Sequence, residues 1–346
     1  MAHICWSVRK ATIAVALALV SMLAALGGAA AGKLTPVRFG TQVATSNAGL
    51  YLADEFGYFK DEGIDLHLIV MTDPPTLITS LATGQLDAAG ISVTPGLFAA
   101  VDQGILLHVV GDKQSLGNGF SGVRLAARKG FSKGSEAATF AALKGKKIAL
   151  NTKGAITYYL LEQELLRHGL KLSDVDVVEL SQSTMIASLG SGAIDAGLIL
   201  EPFLSQAIQS NIAEQISDLT KAAPGGYAVV TPVVFGESLV KDRKTGEAFM
   251  RAYMRGVRAY NDAFRKDVNK DKVIDILAAR TKVDRKIIAS SFPPGLDPDQ
   301  RVTVEAMDAF QKFYVNQNLV RKPIDVRKLI DMSYAQAAVK ALGEYK

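Results

Sequence analysis

Thr76–Pro95, TLITSLATGQLDAAGISVTP, decides the fold, because Thr184–Pro202, TMIASLGSGAIDAGLILEP, repeats its outline. In each copy, apolar residues at helical spacing precede a glycine, Gly84 or Gly192, and glycine tolerates the left-handed conformation that ends many helices. An Asp-Ala pair then opens a short apolar run, which is typical of a buried parallel strand. The final proline of each copy suits the first position of a following helix. Each copy therefore predicts a helix, a tight turn, a strand and the start of another helix.

This repeat predicts two α/β lobes of related design. Open parallel sheets bind ligands beyond the carboxyl ends of their strands. Two facing lobes would therefore form a cleft lined by strand-to-helix loops. The chain has 346 residues, enough for two domains of ordinary size, and its hydrophobic content of 49% excludes a disordered protein.

Residues 1–31 have the features of a secretory signal peptide. Arg9 and Lys10 form a positive start, a long apolar core follows, and Ala29–Ala31 offers a cleavage site of small residues. A retained membrane anchor is the alternative, but the apolar segment is at the short end of what spans a bilayer. The single cysteine, Cys5, precedes the apolar core, so we expect neither a disulfide nor thiolate chemistry in the exported chain.

Charge and motif content argue against several classes of function. The net charge is +5, and two of the positive charges lie in the signal peptide, which is too mild a balance to indicate a nucleic-acid partner. The sequence has no nucleophile elbow, phosphate-binding loop, Rossmann fingerprint or H-E-x-x-H motif. His67, His108 and His168 are widely separated, and we expect structural roles for them. We therefore expect no catalytic residue, no cofactor and no metal ligand.

The hydrophobic pattern predicts the order of elements. For the first lobe we expect a helix at Ala48–Phe56, strands at Val37–Thr41, Asp65–Met71 and Leu106–Gly111, and a glycine-rich polar loop at Gln114–Gly122. For the second lobe we expect strands at Gly122–Lys129 and Val175–Leu180, a turn entering a strand over Leu143–Leu150, and a helix that runs through Leu166. The strand Ala228–Phe235 is predicted to return to the first lobe. These assignments give a first lobe of residues 35–122 and 228–346 and a second lobe of residues 123–227.

The C-terminal part of the chain, from Lys241 onward, is predicted to be helical and amphipathic. Two sets of residues at helical spacing are expected to face the core: Phe249, Tyr253, Val257, Tyr260 and Phe264, and, on a last helix, Met307, Phe310, Phe313 and Tyr314.

Polar loops precede the predicted helices on the cleft side. They are Thr45–Asn47, Thr72–Asp73, Ser92 with Thr94, Asn151–Thr152, Ser181–Thr184 and Glu201. Free backbone N–H groups and the positive end of the helix dipole make such loops good anion sites. Helix capping is the alternative role for each loop, and Asp73 before Pro74 is a typical cap.

Several short motifs are spread over nearly the whole exported chain. They are Gly49–Tyr51 (GLY), Gly57–Asp65 (GYFKDEGID), Leu81–Asp87 (LATGQLD), Leu143–Ala149 (LKGKKIA), Gly192–Ala196 (GAIDA) and Glu201–Phe203 (EPF). In these motifs the chain resembles the periplasmic substrate-binding proteins of ABC importers, in the nitrate, sulfonate, taurine and thiamine-precursor group. The resemblance implies an α/β fold of type II with two lobes, each a mostly parallel sheet flanked by helices. It also implies a small-molecule ligand, an inner-membrane permease with its ATPase as partner, a periplasmic location and a monomer.

Matched by position, the resemblance and the loops together indicate the ligand contacts. These are Gln42, Ser46, Asn47, Asp73, Ser92, Thr94, Asn151, Thr152, Thr184 and Glu201. Two departures from the family pattern bear on the ligand. Asp73 would repel an inorganic anion unless it caps a helix, and Leu200 stands where many relatives have a tryptophan, although Tyr158, Tyr159 or Phe120 could supply a stacking wall.

We therefore predict an extracytoplasmic solute-binding protein rather than an enzyme. It would capture a small anionic or carboxylate-bearing organic solute, of the sulfonate, taurine or nitrate-like class, and deliver it to an ABC permease. The alternatives are a pyrimidine-like, thiamine-precursor-like or amine-bearing ligand that Asp73 or Glu201 would accept, a sensor subunit without a transport role, and an enzyme on the same fold.

Overall fold

The computed structural model describes residues 33–71, 74–117 and 119–346. The predicted signal peptide and Asp73 lie outside the described residues. The strands are β1 (Thr35–Thr41), β2 (Ile64–Val70), β3 (Ala88–Gly90), β4 (His108–Leu116), β5 (Val123–Arg128), β6 (Lys147–Leu150), β7 (Asp176–Glu179), β8 (Ala196–Leu200), β9 (Ala213–Ser217) and β10 (Ala228–Phe235).

The helices flank these strands. They are α1 (Ala48–Glu55), α2 (Tyr58–Asp61), α3 (Pro74–Ala82), α4 (Pro95–Asp102), α5 (Glu136–Ala141), α6 (Ile156–Arg167), α7 (Gln182–Ser191), α8 (Phe203–Gln209), α9 (Glu237–Lys241), α10 (Arg243–Lys266), α11 (Lys270–Thr281), α12 (Arg285–Ser290), α13 (Val304–Asn316) and α14 (Ser333–Leu342). Among the described residues, none of these helices has both the length and the apolar character that crossing a membrane requires.

The strands form two five-stranded sheets, in the orders β2-β1-β3-β10-β4 and β7-β6-β8-β5-β9. We call each sheet with its flanking helices a lobe. In the first sheet β10 runs antiparallel to β3 and β4, and in the second β5 runs antiparallel to β8 and β9. These two reversed strands are the first that the chain forms after each passage between sheets, through residues 117–122 and 218–227. The predicted α/β class with two sheets is confirmed, and both sheets are mixed.

Both passages lie at the carboxyl ends of neighbouring strands. Val123, the first residue of β5, pairs with Leu200, the last of β8. Ala228, the first residue of β10, pairs with Leu116, the last of β4. Ligand sites of open α/β sheets lie beyond such carboxyl ends, so the passages border the region where a ligand is expected.

The two copies of the repeat fold as α3-β3-α4 and α7-β8-α8. Gly84 and Gly192 have φ of +71° and +76°, the left-handed conformation predicted for them. Pro95 occupies the first turn of α4, as predicted. Pro202 follows a cis peptide bond and lies at the N-cap of α8, so its predicted place inside the helix is wrong.

The aspartate of each repeat fastens its strand to the neighbouring strand. Asp87 accepts a hydrogen bond from the backbone N–H of Arg38 at 2.9 Å, and Asp195 accepts one from the backbone N–H of Lys147 at 3.2 Å. The Arg38 guanidinium adds two further bonds and helps to lower the pKa of Asp87 against the opposing effect of burial. The repeated aspartate therefore has a structural role.

The prediction of a polar loop at Gln114–Gly122 is wrong at its start. β4 continues to Leu116, because Ser115 and Gln114 pair with Val229 and Thr231 of β10. Sequence patterns also missed β9, AEQIS, a polar strand at the edge of the second sheet. The last helix is α14 rather than α13.

The 24-residue helix α10 supports the first sheet. Phe249, Tyr253, Val257 and Tyr260 are each at most 1% exposed, which confirms that they face the core, and Phe264, the fifth residue of the stripe, is half-buried against the same core. The stripe of α13 is buried as well. A β-carbon at Gly256 would come within 2.1 Å of the Gly49 carbonyl oxygen, so the glycine allows α10 to pack closely on α1.

Candidate functional site

The strand-to-helix loops of the two lobes meet at one cavity. Thr94 and Pro95, at the start of α4, line it from the first lobe, and Thr152 and Gly154, after β6, line it from the second. The cavity measures about 620 Å³, and most of its wall is apolar surface of α3 and α4. Thr94 and Thr152, two of the predicted contacts, therefore border a common space.

A buried lysine lies at the carboxyl end of the first sheet. Lys113 is only 4% exposed, and its Nζ donates a hydrogen bond to Ser46 Oγ at 3.0 Å. β3 ends at Gly90, which pairs with Val233 of β10, and Gly111 of β4 pairs with the same residue. Lys113, two residues after Gly111, therefore lies beyond the end of β3. Its ammonium group therefore lies where ligands of such sheets bind.

Gly90 makes room for this lysine. A β-carbon at Gly90 would lie 2.1 Å from Lys113 Cδ and 2.7 Å from Cε, closer than atoms can approach. Burial lowers the pKa of Lys113 to about 8, although the neighbouring carboxyl of Asp112 acts in the opposite direction. The group is therefore a cation at neutral pH, and it is weakly hydrated.

Arg124, the second residue of β5, lies beside the carboxyl end of β8 in the second sheet. It follows Val123, and its guanidinium lies 3.9 Å from the ring centroid of Phe292 and donates to Gln215 at 3.1 Å. Arg124 Nε is buried without a hydrogen-bond partner among the described residues. Burial lowers the pKa of Arg124, and Asp218 and Glu201 raise it. Each lobe thus supplies one cation near a passage between the sheets.

The Glu201 side chain is directed at α8, which begins two residues later, and at the segment after α12. Its carboxylate accepts hydrogen bonds from the backbone N–H and the hydroxyl of Ser205 and from the backbone N–H of Phe292. Burial raises the pKa of Glu201, and these bonds lower it. Its acceptors are engaged by the protein, and the carboxylate anchors Phe292 over Arg124.

Asn47 is completely buried and uses its side chain within the first lobe. Its amide oxygen accepts from Thr41 Oγ1, and its amide nitrogen donates to the Gln42 carbonyl oxygen and to the Tyr51 hydroxyl. Asn47 therefore shapes the loop that carries Ser46, and Gln42 contributes its backbone to the same loop.

The remaining predicted contacts are partly or fully exposed. Ser92 and Thr94 are half-buried, and Asn151, Thr152 and Thr184 are exposed. Asn151 accepts a hydrogen bond from the Gln182 amide, and the Thr184 backbone N–H donates to Ser181, which caps α7. The structure thus brings Thr94 and Thr152 to the same cavity and places Ser46 beside Lys113.

The aromatic residues considered as a stacking wall pack against other elements. Tyr159 contacts Phe310 edge to face, with ring centroids 5.0 Å apart, and Tyr158 contacts Phe313 at 5.4 Å. Phe120 lies under the Arg265 guanidinium. These contacts join α6 of the second lobe to α13 and leave the cavity wall largely aliphatic.

Sequence reasoning missed both cations. Lys113 lies in a polar run that was predicted in part to be a loop, and Arg124 lies at the start of an apolar strand. The available signal for Lys113 was its position directly after HVVGD, whose valines favour a strand, because a lysine is almost never fully buried unless it is paired.

Comparison with known proteins places the chain in a family. The sequence profile described as NMT1/THI5 like matches residues 44–263. The chain belongs to this family. It is 24% identical to a putative aliphatic sulfonates-binding protein of Bacillus subtilis, covering 96% of this chain and 97% of the relative. It is 26% identical to the corresponding protein of Escherichia coli, over 74% and 76%.

Solved structures show the same fold. The periplasmic aliphatic sulphonate binding protein SsuA of Escherichia coli superposes with a TM-score of 0.69 at 20% identity, covering 86% of this chain and 92% of that chain. The periplasmic nitrate-binding protein NrtA of Synechocystis PCC 6803 superposes with a TM-score of 0.67 at 17% identity, covering 90% of each chain.

Enzymes are found among the more distant relatives of this family member. The 4-amino-5-hydroxymethyl-2-methylpyrimidine phosphate synthase THI5 of Saccharomyces cerevisiae is 25% identical, over 48% of this chain and 46% of the yeast protein. The long alignments are to binding proteins, so the family member described here is more similar over its length to binding proteins than to this enzyme.

Proposed function

We propose that the protein is an extracytoplasmic solute-binding protein that captures a small organic anion between its lobes and delivers it to an ABC permease. The buried Lys113 ammonium at the carboxyl end of the first sheet carries this proposal. A sulfonate or carboxylate group placed beside Lys113 would receive charge-assisted hydrogen bonds, which are roughly twice as strong as neutral ones. The sulfonate-binding relatives support this class of ligand.

The site favours an anion over an amine or a pyrimidine. Glu201, one of the two acidic residues predicted to accept an amine, already accepts hydrogen bonds from Ser205 and Phe292, and Asp73, the other, lies outside the described residues. Each lobe supplies one cation near a passage, Lys113 in the first lobe and Arg124 in the second. Accordingly, we propose Lys113, Ser46, Thr94 and Thr152 as contacts.

We propose different roles for the other predicted site residues. Asn151, Ser92 and Thr184 remain proposed contacts, because they lie on loops or at helix starts with exposed surface. Asn47, Gln42 and Glu201 are proposed to shape the site through the hydrogen bonds described above. Asp73 stays a proposal from sequence alone.

Delivery to a permease requires an open and a closed form. The two passages at residues 117–122 and 218–227 are short, and such pairs of segments absorb the rotation when lobes close on a ligand. We propose that the closed monomer, located in the periplasm, is recognised by an inner-membrane permease that works with an ATPase. Genes encoding a permease and an ATPase beside this one would support transport, whereas a kinase gene would support a sensor.

A thermal-shift screen of the exported protein tests the ligand class. The panel contains alkanesulfonates, taurine, nitrate, small carboxylates, pyrimidines and primary amines. We expect organic anions to raise the melting temperature, because a ligand at 100 times its Kd stabilises the folded state by about 2.7 kcal/mol. Stabilisation by pyrimidines or amines alone would contradict the proposal, and mass spectrometry of co-purified solute would identify the ligand.

The enzyme alternative has support from the distant yeast relative. Incubation of the saturated protein with its solute, followed by chromatography, separates the two functions. A binding protein returns the solute unchanged, and accumulation of a product would favour an enzyme.

A further inference from the structure

Three side chains of types that can ligate a metal ion meet on the second lobe, outside the candidate ligand site. Glu136 lies in the first turn of α5, Glu164 lies near the end of α6, and His168 follows α6 directly. His168 Nε2 is 3.3 Å from Glu136 Oε1 and 3.6 Å from Glu164 Oε1. One ligand atom of each residue lies within 4.8 Å of the other two.

The His168 ring nitrogen has no hydrogen-bond partner among the described residues. Nε2 is inaccessible to solvent, although it is directed at two carboxylates. A buried nitrogen without a partner is costly, so it indicates a group that the protein atoms do not supply. The imidazole is held in this orientation by stacking on Phe140, with ring centroids 3.7 Å apart.

The Glu164 carboxylate is also held in a fixed orientation, in its case by hydrogen bonds. Its side chain is only 1% exposed, which is rare for a carboxylate. Arg167 donates to Oε2 at 2.7 Å and Ser217 donates to Oε1 at 2.8 Å, so both oxygens are oriented from outside the cluster. Outer hydrogen bonds of this kind commonly orient metal ligands.

The spacing fits a tetrahedral ion. Zinc binds histidine nitrogen and carboxylate oxygen at about 2.0–2.2 Å, which places tetrahedral ligand atoms roughly 3.3–3.6 Å apart. The observed separations from His168 Nε2 to the two carboxylates, 3.3 and 3.6 Å, match this requirement. We propose that Glu136, Glu164 and His168 bind one divalent transition-metal ion of the zinc class, with water as the fourth ligand.

The metal would not touch the solute. α6 begins at Ile156, next to the cavity-lining Gly154, and ends at Arg167, so its far end is about 18 Å away. The ion joins α5 to α6 and stabilises the second lobe. Local sequence patterns gave no sign of the site, because Glu136 and His168 come together only after the lobe folds. The competing state is a protonated His168 that forms ion pairs with both carboxylates.

The test is a zinc titration of the chelator-treated protein by calorimetry, with Co²⁺ absorption as a second measurement. We expect one Zn²⁺ per chain and a melting temperature that rises on binding. Glu136→Gln should weaken binding more than the roughly 10–100-fold that loss of an outer partner typically costs. Glu136 is 57% exposed, so this variant is expected to fold. His168→Ala should abolish binding.

His67→Ala is the matched control, because His67 forms an exposed pair with Asp65 at 3.0 Å and has no second carboxylate near it among the described residues. This variant should bind zinc like the wild type. Equal zinc affinity in Glu136→Gln and wild type, or no zinc binding by the wild type, would overturn the proposal and leave the ion-paired histidine. Solute binding should be the same in all three variants, so the outcome is independent of the proposed transport function.

Discussion

Lys113 Nζ lies 3.0 Å from Ser46 Oγ, and this hydrogen bond joins β4 to the loop after β1 at the carboxyl end of the first sheet. An ammonium group has three N–H donors, and this bond uses one of them. A buried cation with donors to spare is suited to an anion that arrives from the cleft.

Lys113→Met should abolish capture of organic anions. Removing one partner of a buried, hydrogen-bonded charge pair costs roughly 2–5 kcal/mol of binding free energy. The ligand-free variant should be at least as stable as the wild type, because methionine avoids burying a charge. Calorimetric titration and thermal melts measure both effects. Lys60→Met, at an exposed position of α2, is the control and should bind normally. Normal binding by Lys113→Met would exclude this lysine from the site.

Binding of a sulfonate should weaken above pH 8. Burial lowers the pKa of Lys113 to about 8, so the ammonium loses its proton as the pH rises through that value. A sulfonate stays charged throughout, and the decline therefore reports the protein. Titrations between pH 6.5 and 9.5 should show constant affinity at the acid end and falling affinity at the alkaline end. A flat profile in the wild type would contradict this assignment.

The sequence allowed prediction of the features that depend on local interactions. Gly84, Gly192 and Pro95 take their predicted places because turn and cap preferences act within a few residues. Lys113 could not be located from sequence, because its burial depends on β10, which follows it by more than a hundred residues and pairs with β4.

The same limit applies to the roles of the predicted site residues. The sequence predicts Asn47 as a ligand contact, and in the structure its side-chain polar atoms bond to Thr41, Gln42 and Tyr51. A loop sequence shows which side chains are polar, and only the folded lobe shows which partners they find. Thr94 and Thr152 belong to the polar loops that the repeat predicts to line one cleft, and both line the same cavity.

Gly90→Ala should displace Lys113. The new methyl group would lie 2.1 Å from Lys113 Cδ, and relieving such overlap in a packed core costs about 1–3 kcal/mol. Both the free energy of unfolding and the solute affinity should fall. Gly190→Ala is the control. Gly190 lies within α7, and a β-carbon there would be 3.6 Å from its nearest neighbour, Ile212 Cγ2. Alanine in place of glycine stabilises a helix interior by up to about 1 kcal/mol.

A double-mutant cycle tests whether overlap with the Lys113 side chain causes this loss of stability. In a Lys113→Ala background the clash partner is absent, so Gly90→Ala should cost much less stability than it does in the wild type. Equal costs in the two backgrounds would show that the lysine stem is not what Gly90 accommodates.

Glu201→Gln should lower stability more than affinity. The Glu201 carboxylate accepts hydrogen bonds from Ser205 and Phe292, and glutamine has a single acceptor oxygen, so at least one buried donor loses its partner. Such a loss costs about 1–3 kcal/mol. Urea unfolding and titration of the solute measure the two quantities. A large loss of affinity at unchanged stability would show that Glu201 contacts the ligand directly.

Asp112→Asn should remove a pH dependence of stability. Asp112 is fully buried; Oδ2 accepts from Ser115 and from the Asp297 backbone, and Oδ1 has no partner among the described residues. Burial raises the pKa of Asp112 to about 8 from its ordinary value of 3.8. The folded state therefore holds this proton more tightly than the unfolded state, and its stabilising effect is lost as the pH rises from about 4 to about 8.

Thermal melts between pH 5 and 7.5 isolate this effect of Asp112. In that range Lys113 is mostly protonated in the folded and unfolded states, because its pKa is lowered only to about 8, and it adds only a small slope of opposite sign. The wild type should lose stability across the range relative to Asp112→Asn, whose amide does not titrate. Parallel curves for the two proteins would mean that Asp112 is already ionised in the folded state, and the ammonium of Lys113 would then have a fixed counter-charge beside it, leaving less attraction for an incoming anion.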